Sequence, residues 1–209
     1  CMERVIIKTV PRSGATVYLK QYYQQQGWQT FDEPWRGKLD EAELLAESNR
    51  TASRIAVKTH IYQNIPSGLD PSPWSSIWHK ITFVRRNLLE QTLSYALATD
   101  KVKTMHKGLV PNSQLYWKYF KPGTHEHVRW SVNTDTFKRC IAEMLKSYKR
   151  LLAIPRDEIV FYEECTFKQD NLKQKHKSKT IANRSELESI WWDQFSTTQP
   201  HLAKADLNS

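Results

Sequence analysis

Short runs of β-branched and apolar residues recur along the chain and are separated by segments with helical periodicity. Four of these runs predict short buried strands, at residues 4–10, 54–58, 81–84 and 158–162. They are apolar at successive positions rather than alternating, which is typical of strands covered on both faces. The strand pattern therefore favours a parallel sheet.

Helical periodicity follows the strand runs. Residues 88–98 place leucines and alanines on one face, and a second amphipathic pattern begins at Phe137 after the candidate caps Asp135 and Thr136. Residues 17–26 and 184–195 are further predicted helices. The order of elements predicts one α/β domain over residues 1–209, with a central, mainly parallel sheet flanked by helices and ligand sites at the carboxyl ends of the strands.

Two segments lack regular periodicity, at residues 61–80 and 100–133, and we interpret them as insertions on the substrate side. Tryptophans in the non-core segments offer stacking surfaces for an acceptor, although core packing is the commoner use of this side chain. The lysine-rich residues 168–179 are either a lid over a ligand or a solvated charge run. The tryptophans concerned are Trp35, Trp74, Trp78, Trp117 and Trp130.

Composition narrows the class of partner. The chain has 209 residues and a formal net charge of +9, which favours an anionic ligand without identifying it. Three cysteines without CxxC spacing predict neither a disulfide framework nor a zinc site, and no apolar run is long enough to span a membrane. We expect a soluble cytoplasmic protein, with room for residues upstream because the chain starts at Cys1 rather than Met.

The loop after the first strand, residues 11–16, has the sequence PRSGAT and can direct backbone N–H groups at an anion, with Gly14 permitting close approach. The alternative is an ordinary strand-to-helix turn in which Ser13 caps the helix. The loop lacks the G-x-x-x-x-G-K-[ST] pattern, and the strand at 81–84 runs into Arg85 and Arg86 rather than into a metal-binding Asp. This arrangement suits an anion held by arginines.

These motifs resemble those of sulfotransferases that use 3′-phosphoadenosine-5′-phosphosulfate. The PRSGAT loop is similar to the family's 5′-phosphosulfate loop, with Ala15 where a Ser or Thr is usual. Arg86, which is followed by Asn87 and by Ser94 eight residues on, is similar to the 3′-phosphate motif. Residues 58–60, KTH, and residues 161–164, FYEE, resemble two further family elements, whereas the family's late Arg-Lys-Gly signature is missing.

The resemblance implies a P-loop-like fold and a sulfuryl transfer from this donor to the hydroxyl of a small-molecule or carbohydrate acceptor, without a required metal. It assigns the 5′ end of the donor to the loop and Arg12, the 3′-phosphate to Arg86 and Ser94, and a nucleotide contact to Tyr162. The loop residues concerned are Arg12, Ser13, Gly14, Ala15 and Thr16. No nucleic-acid partner is expected, and the oligomeric state is open.

Two residues compete for the role of general base. The resemblance gives it to His60 in cytosolic sulfotransferases and to a glutamate soon after the first helix in trehalose-type enzymes, where Glu33 stands here. We favour His60 because it follows a core strand, whereas Glu33 is expected in a loop. For Arg85 a phosphate contact and another role are equally open, because adjacent strand residues face opposite ways and Arg85 and Arg86 need not reach the same ligand.

Other functions remain open at this stage. One is a magnesium-dependent phosphotransferase with an aberrant loop, and another is a non-catalytic protein that binds nucleotides or polyanions through its basic surface. For Arg86 the structural alternative is an ion pair with Glu90, one turn into the following helix.

Overall fold

The first strand forms the middle of the sheet. A computed structural model describes residues 3–33, 54–61, 78–106, 131–166 and 181–198. In these residues β1 (Glu3–Thr9), β2 (Gln29–Asp32), β3 (Arg54–His60), β4 (His79–Val84) and β5 (Glu158–Phe161) form one sheet. The strand order is β2-β3-β1-β4-β5, and every neighbouring pair is parallel. The predicted α/β class with a parallel sheet is confirmed.

The strand order places a topological switch beside β1. The chain leaves β1 towards β2 at one side of the sheet and leaves β4 towards β5 at the other. In open parallel sheets ligands bind outside the carboxyl ends of strands at such a point. The segments that follow β1 and β4 are therefore the first places to look for a site.

The two faces of the sheet bury different apolar clusters. Val5 and Ile7 of β1 pack with Phe83 of β4 and with the first helical turns after the strand, Ala15 and Leu19 among them. On the other face Ile6 packs with Ile55, Val57 and Trp78. Trp78 is 2% exposed, so this tryptophan belongs to the core rather than to an acceptor surface. Trp35, Trp74, Trp117 and Trp130 lie outside the described residues.

Helices follow β1 and β4 and flank β5 along the described part of the chain. Helix α1 (Ala15–Tyr18) continues as a π-helical turn at Leu19–Tyr23 and a 3₁₀ turn at Gln24–Gln26. Helices α2 (Leu88–His106), α3 (Thr134–Ala153) and α4 (Arg184–Thr198) follow, with a 3₁₀ turn at Tyr162–Glu164 after β5. None of the described helices is long and apolar enough to cross a membrane.

Contacts divide the chain into two units, which we describe separately. The first comprises residues 1–85 and 145–167 and contains the sheet; the second comprises residues 86–144 and 168–209. In the second unit Asn183 bonds to the N–H and the carbonyl of Val132, and Arg184 pairs with Glu90 and Glu188. The single-domain interpretation stays a prediction.

Several sequence-based boundaries change. Residues 79–80, expected in an insertion, belong to β4, and residues 100–106 belong to α2. Helix α3 begins at Thr134 and is capped by Asn133, whose Oδ1 accepts the N–H of Thr136. The predicted caps, Asp135 and Thr136, lie within its first turn, so that prediction was wrong. Strand β2 was missed altogether. Residues 62–77 and 107–130 of the two segments, and residues 168–179, lie outside the described residues.

Candidate active site

The loop after β1 is fixed by hydrogen bonds at its base. The hydroxyl of Thr9 lies 2.9 Å from the carbonyl oxygen of Phe83 and 2.6 Å from Oγ of Ser13. Because the carbonyl only accepts, Thr9 donates there and accepts from Ser13, whose Oγ in turn accepts the N–H of Ala15 at 3.3 Å. Ser13 is 2% exposed. Its hydroxyl thus serves the loop, and any ligand contact of Ser13 falls to its backbone.

Gly14 occupies a position that other residues would fill poorly. Its φ is 95°, and a Cβ placed there would overlap Cδ2 and Cε2 of Tyr162. Its carbonyl accepts the N–H groups of Val17 and Tyr18, which starts α1. Arg12, two residues earlier, also has a positive φ, 62°. The loop therefore carries two left-handed residues, a pattern that turns successive backbone N–H groups towards a common anion site.

Ala15 departs from the family pattern for a visible reason. Its side chain is 1% exposed and packs in the apolar cluster of β1 and Phe83. A serine or threonine there would bury a hydroxyl among apolar groups. Ala15 can therefore contribute only its backbone to a ligand, whereas Thr16 keeps its hydroxyl for polar contacts.

Lys58 joins the loop to the ends of two strands. Its Nζ lies 3.1 Å from Oγ1 of Thr16, 2.8 Å from Oδ1 of Asp32 and 2.7 Å from Oε1 of Glu33. Three oxygen partners use the three N–H donors of an ammonium group. The side chain is 3% exposed, and the two carboxylates offset the cost of burying its positive charge.

Glu33 lies in a loop position, as expected, but its side chain is largely buried rather than solvated. It follows β2 directly, and its N–H donates to the carbonyl of Lys58 at 2.8 Å. Its φ of 57° is a left-handed conformation that a glutamate seldom adopts. This turn directs the carboxylate back towards β3. A strained residue kept in place by several contacts is often part of a functional site.

His60 and Glu33, the two candidate bases, form one hydrogen-bonded pair. Nε2 of His60 lies 2.7 Å from Oε1 of Glu33. His60 is the last residue of β3 rather than the first after it, and it lies on the same face as Lys58 because alternate strand residues share a face. The sequence treated the two as alternatives; the fold brings them together.

Burial and charge set the protonation of this pair. Burial lowers the pKa of His60, more than the hydrogen bond to Glu33 raises it, so the ring is neutral near pH 7. Burial alone would raise the pKa of Glu33, but His60 and Lys58 outweigh it and hold that pKa far below its ordinary value. Nε2 of His60 then carries the proton, and Nδ1 is the basic nitrogen.

The residues matched to the 3′-phosphate motif belong to the second unit. Arg86 is exposed, and Ser94 is half-buried on α2. Asn87 caps α2 by accepting the N–H of Glu90 at 3.0 Å. The carboxylate of Glu90 contacts Arg184. Their role in holding a phosphate stays a prediction.

The sequence analysis included Lys58 in the KTH motif without a role of its own, and it did not identify Asp32 as a site residue. The signal was present in the alternation of β3, because Lys58 and His60 are two residues apart and must share a face. What the sequence could not show is that β2 pairs with β3 and sets Asp32 opposite Lys58. Comparison with protein-family models, curated proteins and solved structures finds no match.

Proposed function

We propose that this chain transfers a sulfuryl group from 3′-phosphoadenosine-5′-phosphosulfate to an acceptor hydroxyl. The observation that carries the proposal is the contact of Lys58 with both Thr16 and Glu33. Through it, a loop shaped for an anion and a hydrogen-bonded carboxylate–imidazole pair belong to one cluster at the carboxyl edge of a parallel sheet. Sulfuryl transfer needs both parts, an anion cradle and a proton acceptor.

Each part has a defined role in the proposed reaction. The backbone of residues 13–16 and the guanidinium of Arg12 hold the 5′-phosphosulfate and offset the charge that develops on the leaving phosphate. Arg86 and Ser94 bind the 3′-phosphate, and Tyr162 contacts the nucleotide. This is a P-loop-like use of the first strand-to-helix loop in an α/β protein.

His60 serves as the base and Glu33 orients it. Burial lowers the pKa of His60, so its imidazole is neutral near pH 7 and can accept a proton, whereas the carboxylate of Glu33 has its pKa held far below the ordinary value and is a weak base. The acceptor oxygen forms a bond to sulfur as the bond from sulfur to the bridging phosphate oxygen breaks, and the hydroxyl proton passes to the imidazole of His60. The products are a sulfate ester and 3′,5′-adenosine bisphosphate.

One observation favours a second candidate, a magnesium-dependent phosphotransferase. The carboxylates of Asp32 and Glu33 and the hydroxyl of Thr16 all surround one point, and oxygen ligands of these kinds bind Mg²⁺. The ammonium of Lys58 occupies that point, however, and already supplies the positive charge.

Metal dependence separates the two candidates. We expect formation of 3′,5′-adenosine bisphosphate from the sulfuryl donor to continue at an undiminished rate in excess chelator. ATP with magnesium should not replace the donor. Activity that disappears with chelator and returns with Mg²⁺ would move the phosphotransferase ahead. Nucleotide binding without turnover on any hydroxyl acceptor would favour a non-catalytic binding protein.

A further inference from the structure

The side chain of Arg85 contacts two residues that follow β5 in the first unit. Its side chain lies over the ring of Tyr162, with Cζ 5.0 Å from the ring centroid, and its Nε is 3.9 Å from Oε1 of Glu163. Its backbone is bracketed by the hydroxyl of Tyr148, which lies 3.0 Å from the N–H and 3.3 Å from the carbonyl oxygen. The side chain is 21% exposed, and its main contact is the stack on the ring of Tyr162.

The ring under Arg85 lies directly against the loop. Tyr162 follows β5, and its Cδ2 and Cε2 occupy the space that a Cβ on Gly14 would need. The same ring packs against the apolar cluster that contains Ala15 and Tyr18. Tyr162 is thus the wall that fixes where the backbone of Gly14 can lie, and with it the direction of the neighbouring N–H groups.

Stacking of this kind depends on the shape of the cation. A guanidinium is planar and covers an aromatic ring, whereas an ammonium is a compact, strongly hydrated charge. Lysine at position 85 would keep the charge and lose most of the flat contact. The chemistry of the contact therefore distinguishes a role through Tyr162 from a role as a simple positive charge near phosphate.

We propose that Arg85 is a positioning residue of the anion-binding loop, which it supports by clamping Tyr162 against Gly14, and that it is not a ligand of the 3′-phosphate. The inference rests on the proposed function, in which the loop holds the 5′ end of the donor. It gives the two adjacent arginines different tasks: Arg86 binds the 3′-phosphate, and Arg85 shapes the 5′ site.

The test compares two nucleotides that share the 5′-phosphate. Affinities of 5′-AMP and 3′,5′-adenosine bisphosphate are measured by calorimetry for the wild type, Arg85→Lys and Arg86→Lys, with thermal unfolding as the control for folding. We expect Arg85→Lys to weaken both nucleotides by the same factor, about 2- to 5-fold, because a cation–π contact of ordinary strength is lost. Arg86→Lys should weaken the bisphosphate alone.

A double-mutant cycle adds a readout that a general loss of stability would not give. Tyr162→Leu should weaken both nucleotides, and Arg85→Lys should add nothing further in its presence, because Arg85 acts through that ring. If Arg85→Lys does not fold, Arg85→Gln takes its place in the same cycle, with the same expected results.

Two results would overturn the inference alone: a loss confined to the bisphosphate in Arg85→Lys, or full additivity in the double variant. Wild-type protein that binds neither nucleotide would instead overturn the proposed function and this inference with it. The two failures are therefore distinguishable in the same experiment.

Discussion

The charged residues at the two ends of the strands differ in their burial. We call these ends of the sheet the amino edge and the carboxyl edge. At the amino edge Arg54 pairs with Glu3 at 2.9 Å, and both side chains are 51% exposed. At the carboxyl edge Lys58, four residues further along the same strand, is 3% exposed between two carboxylates. Exposed pairs contribute little to stability, whereas buried charges carry a desolvation cost of several kcal/mol.

The difference shows that the desolvation cost of buried charges falls at the carboxyl edge. The carboxyl edge also holds a glutamate with a left-handed backbone and a buried histidine, while at the amino edge His79 and Glu158 form a half-exposed pair. Buried ionisable groups with shifted pKa values are typical of catalytic sites, although structural networks show them as well. The predictions below use the amino edge as the control for the carboxyl edge.

The largest expected effect is on turnover. Loss of a general base lowers the rate by about 10²–10⁴-fold, so His60→Ala should lose that much activity while nucleotide affinity barely changes. His79→Ala, at the opposite edge, should keep wild-type turnover. Steady-state kinetics with a genuine acceptor provide the measurement.

The pH profile of these variants identifies the base. A base must be deprotonated, so wild-type activity should fall as pH drops through the pKa of His60, which burial holds below 6.5. Glu33→Gln removes a group that raises this pKa and should move the acid limb to still lower pH. Near-complete turnover in His60→Ala, with activity lost in Glu33→Gln, would transfer the role to Glu33.

A smaller effect on stability is expected from the two cations of β3. Lys58→Met leaves the buried carboxylate of Glu33 without its cation and should lower the free energy of unfolding by about 3–5 kcal/mol. Arg54→Met removes an exposed pair and should cost about 1 kcal/mol or less. Urea denaturation measures both.

A double variant checks the cause. Lys58→Met with Glu33→Gln should be less destabilised than Lys58→Met alone, because the uncompensated charge is gone. Equal costs for Lys58→Met and Arg54→Met would contradict the contrast between the two edges.

The sequence predicted the four strands whose residues are apolar at successive positions, and it did so within about two residues. It missed β2 because Gln29–Asp32 contains a single apolar residue, Phe31, whereas β5, equally short and also at an edge of the described sheet, has three in succession, Ile159, Val160 and Phe161. A strand of four mixed residues gives no periodicity that distinguishes it from a turn.

The site shows the same division. Gly14 and His60 could be singled out from motifs, but the pairing of His60 with Glu33 depends on a strand contact across residues 34–53 of the chain. The stacking of Arg85 on Tyr162 joins the ends of β4 and β5, more than 70 residues apart in sequence. Contacts of that kind follow from strand order, which local patterns do not encode.

The central claim is that this protein recognises an adenosine nucleotide with phosphates at both the 3′ and the 5′ positions. Calorimetry of the wild type and of Arg86→Ala, with chelator present, tests it most directly. A charged hydrogen bond contributes about 1.5–3 kcal/mol, so the wild type should bind 3′,5′-adenosine bisphosphate at least about tenfold more tightly than 5′-AMP, and Arg86→Ala should lose most of that preference. Equal wild-type affinity for the two nucleotides would contradict the account.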